Sequence, residues 1–361
     1  MKERLYASHI TLLVFMIQTG VTALSLARSA AMYFGTNGWI SILILGGVAS
    51  VNIMLIGIVN RMCGGESVFA VMAKSLPRFV TIPIYLVFTV YLALIGCMVG
   101  KQYIHIFQLI AFPTASTFML KACFDLMVIF LVTKGIYNIG KAATVFSILI
   151  LWMVFLLFAF SNDFEFDRMS PFVFKQGHHM LRGAVDMFAA FAGYELILFV
   201  MPYADKSKKW IRSVQTGNLM TTLTYFSFVF ISFGFFSLDQ LKIMLYPLLD
   251  MLAYIQLPFV ERLENLLFSF LLFTVVITVG MYIWSACESA QQVFPKANRN
   301  VMVVFIVFVS FLISILPDTL FQLELVLKYL TYGETAFSFG FPLFLILLLM
   351  IQKRSEVKAR A

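Results

Sequence analysis

Two apolar stretches of the sequence are interrupted near their midpoints by small and polar residues. The first interruption is Gln18-Thr19-Gly20, and the second is Ala192-Gly193-Tyr194-Glu195. In a bilayer, a charged group near the centre costs about 2.5–3.5 kcal/mol, and glycine weakens a helix by roughly 1 kcal/mol relative to alanine. Both stretches are therefore predicted to unwind there. At membrane depth, unwound backbone is tolerated only where it lines a cavity or is buried in protein.

A pair of unwound half-helices offers chemistry that suits a zwitterion. Free N–H groups at the start of a half-helix attract a carboxylate, and free carbonyl groups at the facing end attract an ammonium or a metal cation. Glu195 is a second partner for the ammonium, or a proton carrier if it is desolvated. The alternatives are structural, because small residues also mark close helix packing and Glu195 also fits a hydrogen bond to a neighbouring helix. The candidate ligand-binding residues at the interruptions are Gln18, Thr19, Gly20, Val21, Gly193, Tyr194 and Glu195.

Two helix faces elsewhere are candidate walls of the same pocket. Thr274 and Thr278 are spaced i, i+4 and therefore share a face of their helix. Tyr91 and Ile95 share a face in another apolar stretch in the same way. Hydrogen bonding between helices is the commoner use of threonine in membranes, and the second face fits ordinary packing equally well.

The composition determines which elements must position these residues. Hydrophobic residues make up 61% of the 361 positions, charged residues make up 12%, and the mean hydropathy is +0.93. Soluble domains carry about 45–50% apolar and about 25% charged residues, and one helical crossing needs about 20 apolar residues. The sequence predicts an all-α integral membrane protein of ten transmembrane helices, at 9–31, 38–60, 82–108, 117–133, 142–160, 183–203, 216–236, 262–287, 300–317 and 326–351.

The positions of the two interruptions suggest an internal repeat. They fall in the first and sixth predicted segments, so each opens a run of five helices, and an odd number inverts the second run relative to the first. Interrupted helices at matching positions point to a transporter-type binding site. We expect one transmembrane domain over 1–361, with repeats at about 9–160 and about 183–351. Short interfacial helices are expected at 66–76 and 239–254.

The positive charges predict the orientation in the bilayer. Most of the 26 lysines and arginines fall at the two termini and in every second loop, so the positive-inside rule places the N- and C-termini in the cytoplasm. The net charge of +8 therefore indicates the orientation of the chain in the bilayer. A nucleic-acid partner would need these charges on one exposed face, and they are scattered.

Catalytic chemistry is not expected. The sequence contains no phosphate-binding G-x-x-x-x-G-K-[ST], no G-x-S-x-G and no H-E-x-x-H motif. Its four cysteines form no C-x-x-C pair, so neither a disulfide framework nor a metal site is predicted. We expect no enzyme activity and no cofactor.

Several stretches of the sequence form a pattern that is shared with a known family. Around the centre they are Met169-Ser170-Pro171, Lys175 to Gly177, Arg182-Gly183-Ala184, Phe188 to Glu195 and Met201-Pro202-Tyr203. Further along they are Pro258 to Phe273, which contains the sharpest motif, Glu261-Arg262-Leu263-Glu264-Asn265, and Tyr282 to Phe294. In these stretches, and over nearly its whole length, the chain resembles the B subunits of GerA-type nutrient germinant receptors, which are spore germination permeases of the amino acid–polyamine–organocation superfamily.

This resemblance implies a five-plus-five inverted repeat with interrupted first and sixth helices. It also implies a role beside an A-type subunit and a C-type lipoprotein subunit in the inner membrane of the spore, where a small nutrient, commonly an amino acid, triggers germination. Carried over residue by residue, the pocket holds Gly20, Tyr91, Ile95, Gly193 to Glu195, Thr274 and Thr278. Several proton-coupled relatives carry a lysine in the fifth helix, and residues 142–160 contain none.

Three functional hypotheses stay open at this point. The first is a nutrient-sensing receptor subunit that binds its ligand at the membrane midplane. The second is a secondary amino acid transporter that works without partners. The third is a conduit for ions or water, or a scaffold for the A-type subunit. The sensing role is the main hypothesis, since the fifth segment lacks the coupling lysine.

Overall fold

The computed structural model of the chain describes residues 4–155, 160, 164–169, 171–205, 210–254 and 263–360. Parts of several sequence predictions lie outside these residues. They include Lys2 and the lysines 206, 208 and 209, which were used for the orientation, residues 156–159 of the fifth predicted segment, and Ser170. They also include Pro258 to Arg262 of the similar stretch, and with them the start of its sharpest motif, together with the side chains of Leu263 and Glu264.

Helices make up almost all of the described chain, and the only β-type pairing within it is an isolated bridge between Leu5 and Ala204. The α-helices are α1 Ala7–Gln18, α2 Leu26–Phe34, α3 Ile40–Cys63, α4 Val68–Ser75, α5 Arg78–Ala111, α6 Thr117–Thr133, α7 Ile136–Phe155, α8 Met180–Phe188, α9 Ile197–Val200, α10 Trp210–Phe235, α11 Leu238–Ile243, α12 Pro247–Ala253, α13 Leu263–Val293, α14 Arg299–Ser314 and α15 Leu320–Arg360. Short 3-10 helices join α1 to α2 and flank α9.

Five of these helices are long and apolar enough to cross a membrane: Ile40–Cys63, Arg78–Ala111, Trp210–Phe235, Asn265–Val293 and Leu320–Lys353. Two bent pairs raise the number to seven if each pair forms one span. These bent pairs are the first and sixth predicted segments, so the all-helical fold with two interrupted helices is confirmed. The total of ten crossings stays a prediction.

Most predicted segment boundaries lie close to the observed helices, and the fifth segment is the clearest exception. We predicted it to begin at 142, after a loop that runs from Lys134 to Gly140. In the structure α7 already begins at Ile136, because Gly135, with φ of 83°, completes the turn directly after α6. Glycine is the residue that adopts this left-handed conformation without steric cost.

The apolar surface is distributed as expected for a bundle in lipid. Large hydrophobic side chains point outward on several long helices, including Val51 on α3, Val87 on α5 and Phe130 on α6, each more than 60% exposed. The centre is α13, whose apolar window is 72% buried. Such a bundle, apolar both inside and outside, is typical of a membrane protein.

Close packing of α5 on α13 and on α6 depends on small residues. A Cβ atom added at Gly96 would lie 2.9 Å from the Cβ atom of Tyr282, and one at Gly100 would lie 2.9 Å from the Phe124 ring. These two glycines therefore allow close helix packing, which is the structural alternative considered above for small residues in membrane helices.

One end of the bundle is tied together by backbone and side-chain bonds, and we call it the tied end. The N–H of Leu5, just before α1, donates to the carbonyl of Tyr203 at 3.0 Å, and the N–H of Asp205 donates to the carbonyl of Leu5 at 3.1 Å. The Tyr203 hydroxyl donates to Glu288 of α13 at 2.9 Å, and Arg299 of α14 forms an ion pair with the same carboxylate at 2.7 Å. These bonds join the outer ends of both interrupted helices to α13 and α14.

Candidate functional site

The first interruption separates α1 from a 3-10 helix, Val21–Ser25, that continues into α2. The two halves, Ala7–Gln18 and Val21–Phe34, differ in direction by 51°. Neighbouring helices bond the backbone groups that the break releases. The buried Tyr225 hydroxyl of α10 donates to the carbonyl of Gln18 and accepts from the N–H of Gly20 at 3.4 Å. The hydroxyl of Thr278 on α13 lies 3.2 Å from the carbonyl oxygen of Ile17. The break is therefore supported by α10 and α13.

The second interruption lies between the segments Met180–Phe191 and Tyr194–Tyr203, which differ in direction by 50°. Gly193 has φ of 100°, a conformation that side-chain-bearing residues rarely adopt. A Cβ atom there would lie 2.4 Å from the Ile17 side chain, so the position requires glycine for two reasons. The two breaks also touch directly, because the Gln18 side-chain amide donates to the carbonyl of Phe191 at 2.7 Å.

A cavity of about 180 Å³ lies beside the first break. Its walls come from both interrupted helices and from α5, α13 and α15, and they include Gln18, Gly20, Val21, Thr278, Tyr282 and Glu334. A Cβ atom added at Gly20 would have no neighbour within 4 Å among the described residues, so this glycine faces open space. We call this space the central cavity.

The central cavity presents unused hydrogen-bonding groups. The Oε1 atom of Gln18 is buried and has no hydrogen-bond partner in the described part of the chain, although buried polar atoms are normally bonded. Val21 and Thr22 line the cavity and occupy the first positions of the half-helix, where N–H groups have no partner within the helix. The cavity thus offers an acceptor, and donors at the positive end of a helix dipole.

Two buried carboxyl groups lie close to the central cavity, one at the second break and one in the cavity wall. Glu195 is 1% exposed and Glu334 is 6% exposed. The N–H of Gly193 donates to both Glu195 oxygens, at 3.0 and 2.9 Å, and the Tyr282 hydroxyl donates to Glu334. Only Glu334 of this carboxyl pair lines the central cavity.

The rim of the cavity carries a separate charged cluster. Lys328 of α15 lines the cavity, and its Nζ atom lies 3.6 Å from the carboxylate of Asp186 on α8. The same carboxylate accepts hydrogen bonds from Tyr33 at 2.7 Å and from Tyr332 at 2.6 Å. The cluster links α2, α8 and α15 on the side of the breaks away from the tied end.

Comparison with known protein families shows which family the chain belongs to. A family model described as "Spore germination protein" matches residues 4–322. The chain belongs to this spore germination family. Its relatives include spore germination protein GerQB of Bacillus cereus, 25% identical over 304 residues, or 83% of each chain. Spore germination protein B2 of Bacillus subtilis is 26% identical over 253 residues, which are 68% of this chain and 67% of the relative.

A solved structure places this germination protein in a transporter fold. The chain superposes with a TM-score of 0.61 on Mhp1, a nucleobase-cation-symport-1 family transporter in a closed conformation with bromovinylhydantoin bound. The match covers 91% of this chain and 75% of Mhp1 at 12% sequence identity. At this identity the likeness concerns the fold alone. The boundaries of the two repeats, about 9–160 and about 183–351, stay predictions.

The structure brings some of the predicted site residues to the central cavity. Gln18, Gly20, Val21 and Thr278 line it. Thr19 is 1% exposed, and its hydroxyl has no partner among the described residues. Behind the wall, Gly193 packs on Ile17 of the first interrupted helix, and the carboxyl group of Glu195 accepts from the N–H of Gly193. Both interruptions therefore contribute to one region, although Ala192 is the only residue of the second interruption, all of which the structure describes, that lines the cavity.

Four predicted site residues lie elsewhere. The Tyr91 hydroxyl donates to the carbonyl of Leu330 at 2.7 Å, and Thr274 donates to Leu271 of its own helix at 2.8 Å. The Tyr194 hydroxyl accepts from Asn52 of α3 at 2.6 Å, and Ile95 is buried in the core. Each is therefore held by a neighbouring helix or by its own. On the face we assigned to Tyr91 and Ile95, Val99 is the residue that lines the cavity.

The sequence analysis missed the second buried carboxyl group, which lines the central cavity. Glu334 is the single carboxylate inside the apolar stretch 326–351, so the rule that selected Glu195 also selects Glu334. Tyr225 was missed for a different reason. A tyrosine in an apolar segment has no distinguishing pattern, and its role depends on a break in another helix, which the local sequence cannot reveal.

Proposed function

We propose that this protein is the nutrient-sensing subunit of a spore germinant receptor and that it binds a small amino acid in the central cavity. The observation that carries the proposal is the cavity itself, which lies at an interrupted helix and holds unused donors and acceptors. It rests on the established family membership and the transporter fold.

The size of the cavity favours a small ligand. Its volume of about 180 Å³ is similar to the ~150 Å³ that accommodates benzene in an engineered protein cavity. Unlike that dry cavity, this one has polar walls. A zwitterion fits them with its carboxylate at the N–H groups of Val21 and Thr22 and its ammonium at Glu334 and the Gln18 Oε1 atom. This pose satisfies polar atoms that otherwise stay unpaired, which favours binding.

Signalling then requires that the ligand bind two conformations unequally. The central cavity is formed by both interrupted helices, and the tied end joins their outer ends to α13 and α14. A ligand that pulls the two breaks together would favour one arrangement of these helices. We propose that A-type and C-type receptor subunits detect this change in the inner membrane of the spore, with both termini of this chain in the cytoplasm.

A second candidate function is secondary transport of the same ligand. It is favoured by the superposition on a symporter, because that fold moves substrate past interrupted helices. Flux separates the two functions. A transporter reconstituted alone in proteoliposomes accumulates labelled amino acid under an ion gradient, whereas a sensing subunit binds it without accumulation.

The first test is binding of radiolabelled amino acids to the purified protein in detergent. We expect saturable binding of one compound among alanine, valine, leucine and asparagine. Gly20→Trp fills the open space beside the break, so it should weaken binding roughly 100-fold or more. Gly47→Trp is the matched control, since Gly47 is exposed on the outer side of α3 with no described atom within 4 Å of an added Cβ. Equal affinity in the two variants would contradict the assignment.

A further inference from the structure

A second cavity, of about 190 Å³, lies where α5, α6 and α14 meet. It is at the end of the bundle opposite the tied end. Ser314, at the end of α14, lines it, whereas Arg299, at the beginning of the same helix, belongs to the tied end. The cavity uses a different face of α5 from the central cavity, because Lys101 and His105 line it and Gln102 lines the central one. We call it the lysine cavity.

Two buried ammonium groups lie in the wall of the lysine cavity. Lys101 is 7% exposed and Lys121 is 3% exposed, although lysine is almost never this buried unless it is paired. Lys121 is paired with Asp125 on its own helix, with its Nζ atom 2.5 Å from both carboxylate oxygens. The ammonium group of Lys101 instead donates to the carbonyl groups of Ser314 and Pro317, the latter at 2.7 Å. None of the ion pairs in the described residues includes Lys101.

The carbonyl groups compensate the charge of Lys101 only in part. They belong to the C-terminal end of α14, and a helix end of this kind carries the equivalent of about half a negative charge. Asp318 is the acidic residue in the wall of the cavity, but it is exposed and forms no ion pair with Lys101 in the described part of the chain. A buried charge is costly until it is paired, so the lysine cavity favours an anion.

The lysine cavity also contains donor groups that are not in use. A lysine ammonium has three N–H donors, and the bonds of Lys101 and Lys121 use two on each. The Nε2 atom of His105 is buried and has no partner among the described residues. The first turn of α6, which begins at Thr117 in the cavity wall, has no side-chain cap, and free N–H groups at such a position bind anions. These groups suit the several oxygens of a phosphate.

An exposed apolar surface adjoins the lysine cavity. Phe118 and Phe311 line it with their ring centroids 4.9 Å apart, and Ile315 lines it four positions after Phe311. Phe118 is 58% exposed and Ile315 is 45% exposed. Phe308 and Leu312 precede Ile315 at helical spacing and are 56% and 49% exposed, so they continue one apolar row along α14. In a bilayer this row contacts acyl chains, which places the cavity where a lipid phosphate lies.

We infer that the lysine cavity binds the phosphate group of an anionic phospholipid whose acyl chains lie along the exposed row of α14. The phosphate accepts from the ammonium groups of Lys101 and Lys121 and from the first N–H groups of α6. Basic pockets between membrane helices bind anionic head groups in this way. The bound lipid joins α5, α6 and α14 and stabilises the folded bundle. The site lies away from the central cavity and does not depend on the proposed function.

The test counts the lipids bound to the purified protein in detergent by native mass spectrometry. The probes are phosphatidylglycerol, a diacylglycerol with the same acyl chains, and inorganic phosphate. We expect one tightly bound phosphatidylglycerol and much weaker binding of the diacylglycerol, which has no phosphate. Inorganic phosphate should compete with the lipid only at much higher concentration, because it has the charge of the head group without the chains.

Two variants and a control locate the binding. Lys101→Gln should weaken the binding of phosphatidylglycerol roughly tenfold or more. The double variant Lys121→Gln with Asp125→Asn removes the second ammonium together with its partner, so it leaves no unpaired charge, and it should weaken binding to a similar degree. Lys134→Gln changes an exposed lysine directly after α6 and should bind as the native protein does. Because the variants alter different helices, a folding defect in one leaves the other decisive.

The outcomes also separate the two sources of phosphate. Equal affinity of the native protein and a folded lysine variant for phosphatidylglycerol would overturn the site. Diacylglycerol that binds as tightly as phosphatidylglycerol would overturn the role of the phosphate. Binding of inorganic phosphate without phosphatidylglycerol would overturn the lipid and assign the cavity to a free anion. As an independent measure, phosphatidylglycerol should raise the melting temperature of the native protein and of Lys134→Gln more than that of the two lysine cavity variants.

Discussion

The two interrupted helices differ in what their breaks do. At the first break, Gly20 faces open space, and the Gln18 side chain retains a buried oxygen without a described partner. At the second break, Gly193 packs tightly on Ile17, the Tyr194 hydroxyl accepts from Asn52, and the carboxyl group of Glu195 accepts from the N–H of Gly193. The first break offers groups to a ligand, and the second fixes a carboxylate in place behind the cavity.

This difference shows that matching positions in two halves of a sequence do not imply equal roles. Both breaks were chosen by the same criterion, a glycine beside a polar residue in an apolar stretch. What separates them is the neighbour that each glycine meets, which is determined by packing between distant segments. Changes at the two glycines should therefore have opposite consequences, one for stability and the other for binding.

The largest effect is expected for Gly193→Ala. The left-handed backbone costs an L-residue about 1–2 kcal/mol, and the overlap with Ile17 adds about 1–3 kcal/mol. We expect a clear fall in the melting temperature of the detergent-solubilised protein and lower levels in the membrane. In an Ile17→Ala background the overlap is absent, so Gly193→Ala should lower the melting temperature less there than in the native chain. Unchanged melting in Gly193→Ala would show that the second break is as loose as the first.

A smaller loss is expected for Tyr225→Phe. Its hydroxyl bonds both the carbonyl of Gln18 and the N–H of Gly20, and an unsatisfied buried group costs about 1–3 kcal/mol. The melting temperature should fall, and binding should weaken because the break loses its support. Tyr254→Phe is a suitable comparison, since Tyr254 is 66% exposed. Equal effects of the two substitutions would show that the Tyr225 hydroxyl does not support the first break.

Gly20→Ala should change binding and leave stability unaltered. The backbone at Gly20, with φ of −142°, suits any residue, and the added methyl group meets open space. One methyl group in a binding pocket alters affinity by about 1–3 kcal/mol, so we expect roughly tenfold weaker binding at an unchanged melting temperature. A fall in melting temperature as large as that of Gly193→Ala would contradict the proposed difference between the two breaks.

The smallest effect on ligand binding is expected at Thr278 of α13, and Thr274 on the same helix serves as its control. Thr278 lines the cavity, and its hydroxyl lies 2.9 Å from the carbonyl oxygen of Thr274 and 3.2 Å from that of Ile17, whereas Thr274 donates to Leu271 of its own helix. Thr278→Val should weaken ligand binding by the contribution of one hydrogen bond, about 0.5–1.5 kcal/mol. Thr274→Val should leave the affinity unchanged. The pair is compared by equilibrium binding, and a loss confined to Thr274→Val would reverse the assignment of this face.

The sequence allowed the helical membrane fold and the places of both breaks to be predicted, because these depend on local composition. It also selected Gln18, Gly20 and Thr278, which line the central cavity, and their role in ligand binding stays a prediction. It did not exclude Tyr91, Tyr194 and Thr274, whose polar groups are taken up by partners on other helices or in their own helix. Glu334 was within reach of the same rule as Glu195. The hydrogen bonds between Tyr225 and the first break could not be predicted from the sequence, since they depend on which helix lies beside the break.

The most direct test of the open first break is the reaction of Gly20→Cys with a small polar thiol reagent. The measurement uses a Cys123→Ser background, because Cys123 is the exposed native thiol among the described residues. The account predicts rapid labelling at position 20 that slows roughly tenfold when the amino acid identified by binding is present. A thiol that does not react, or one that reacts equally fast with and without the bound amino acid, would contradict the central cavity as the ligand site.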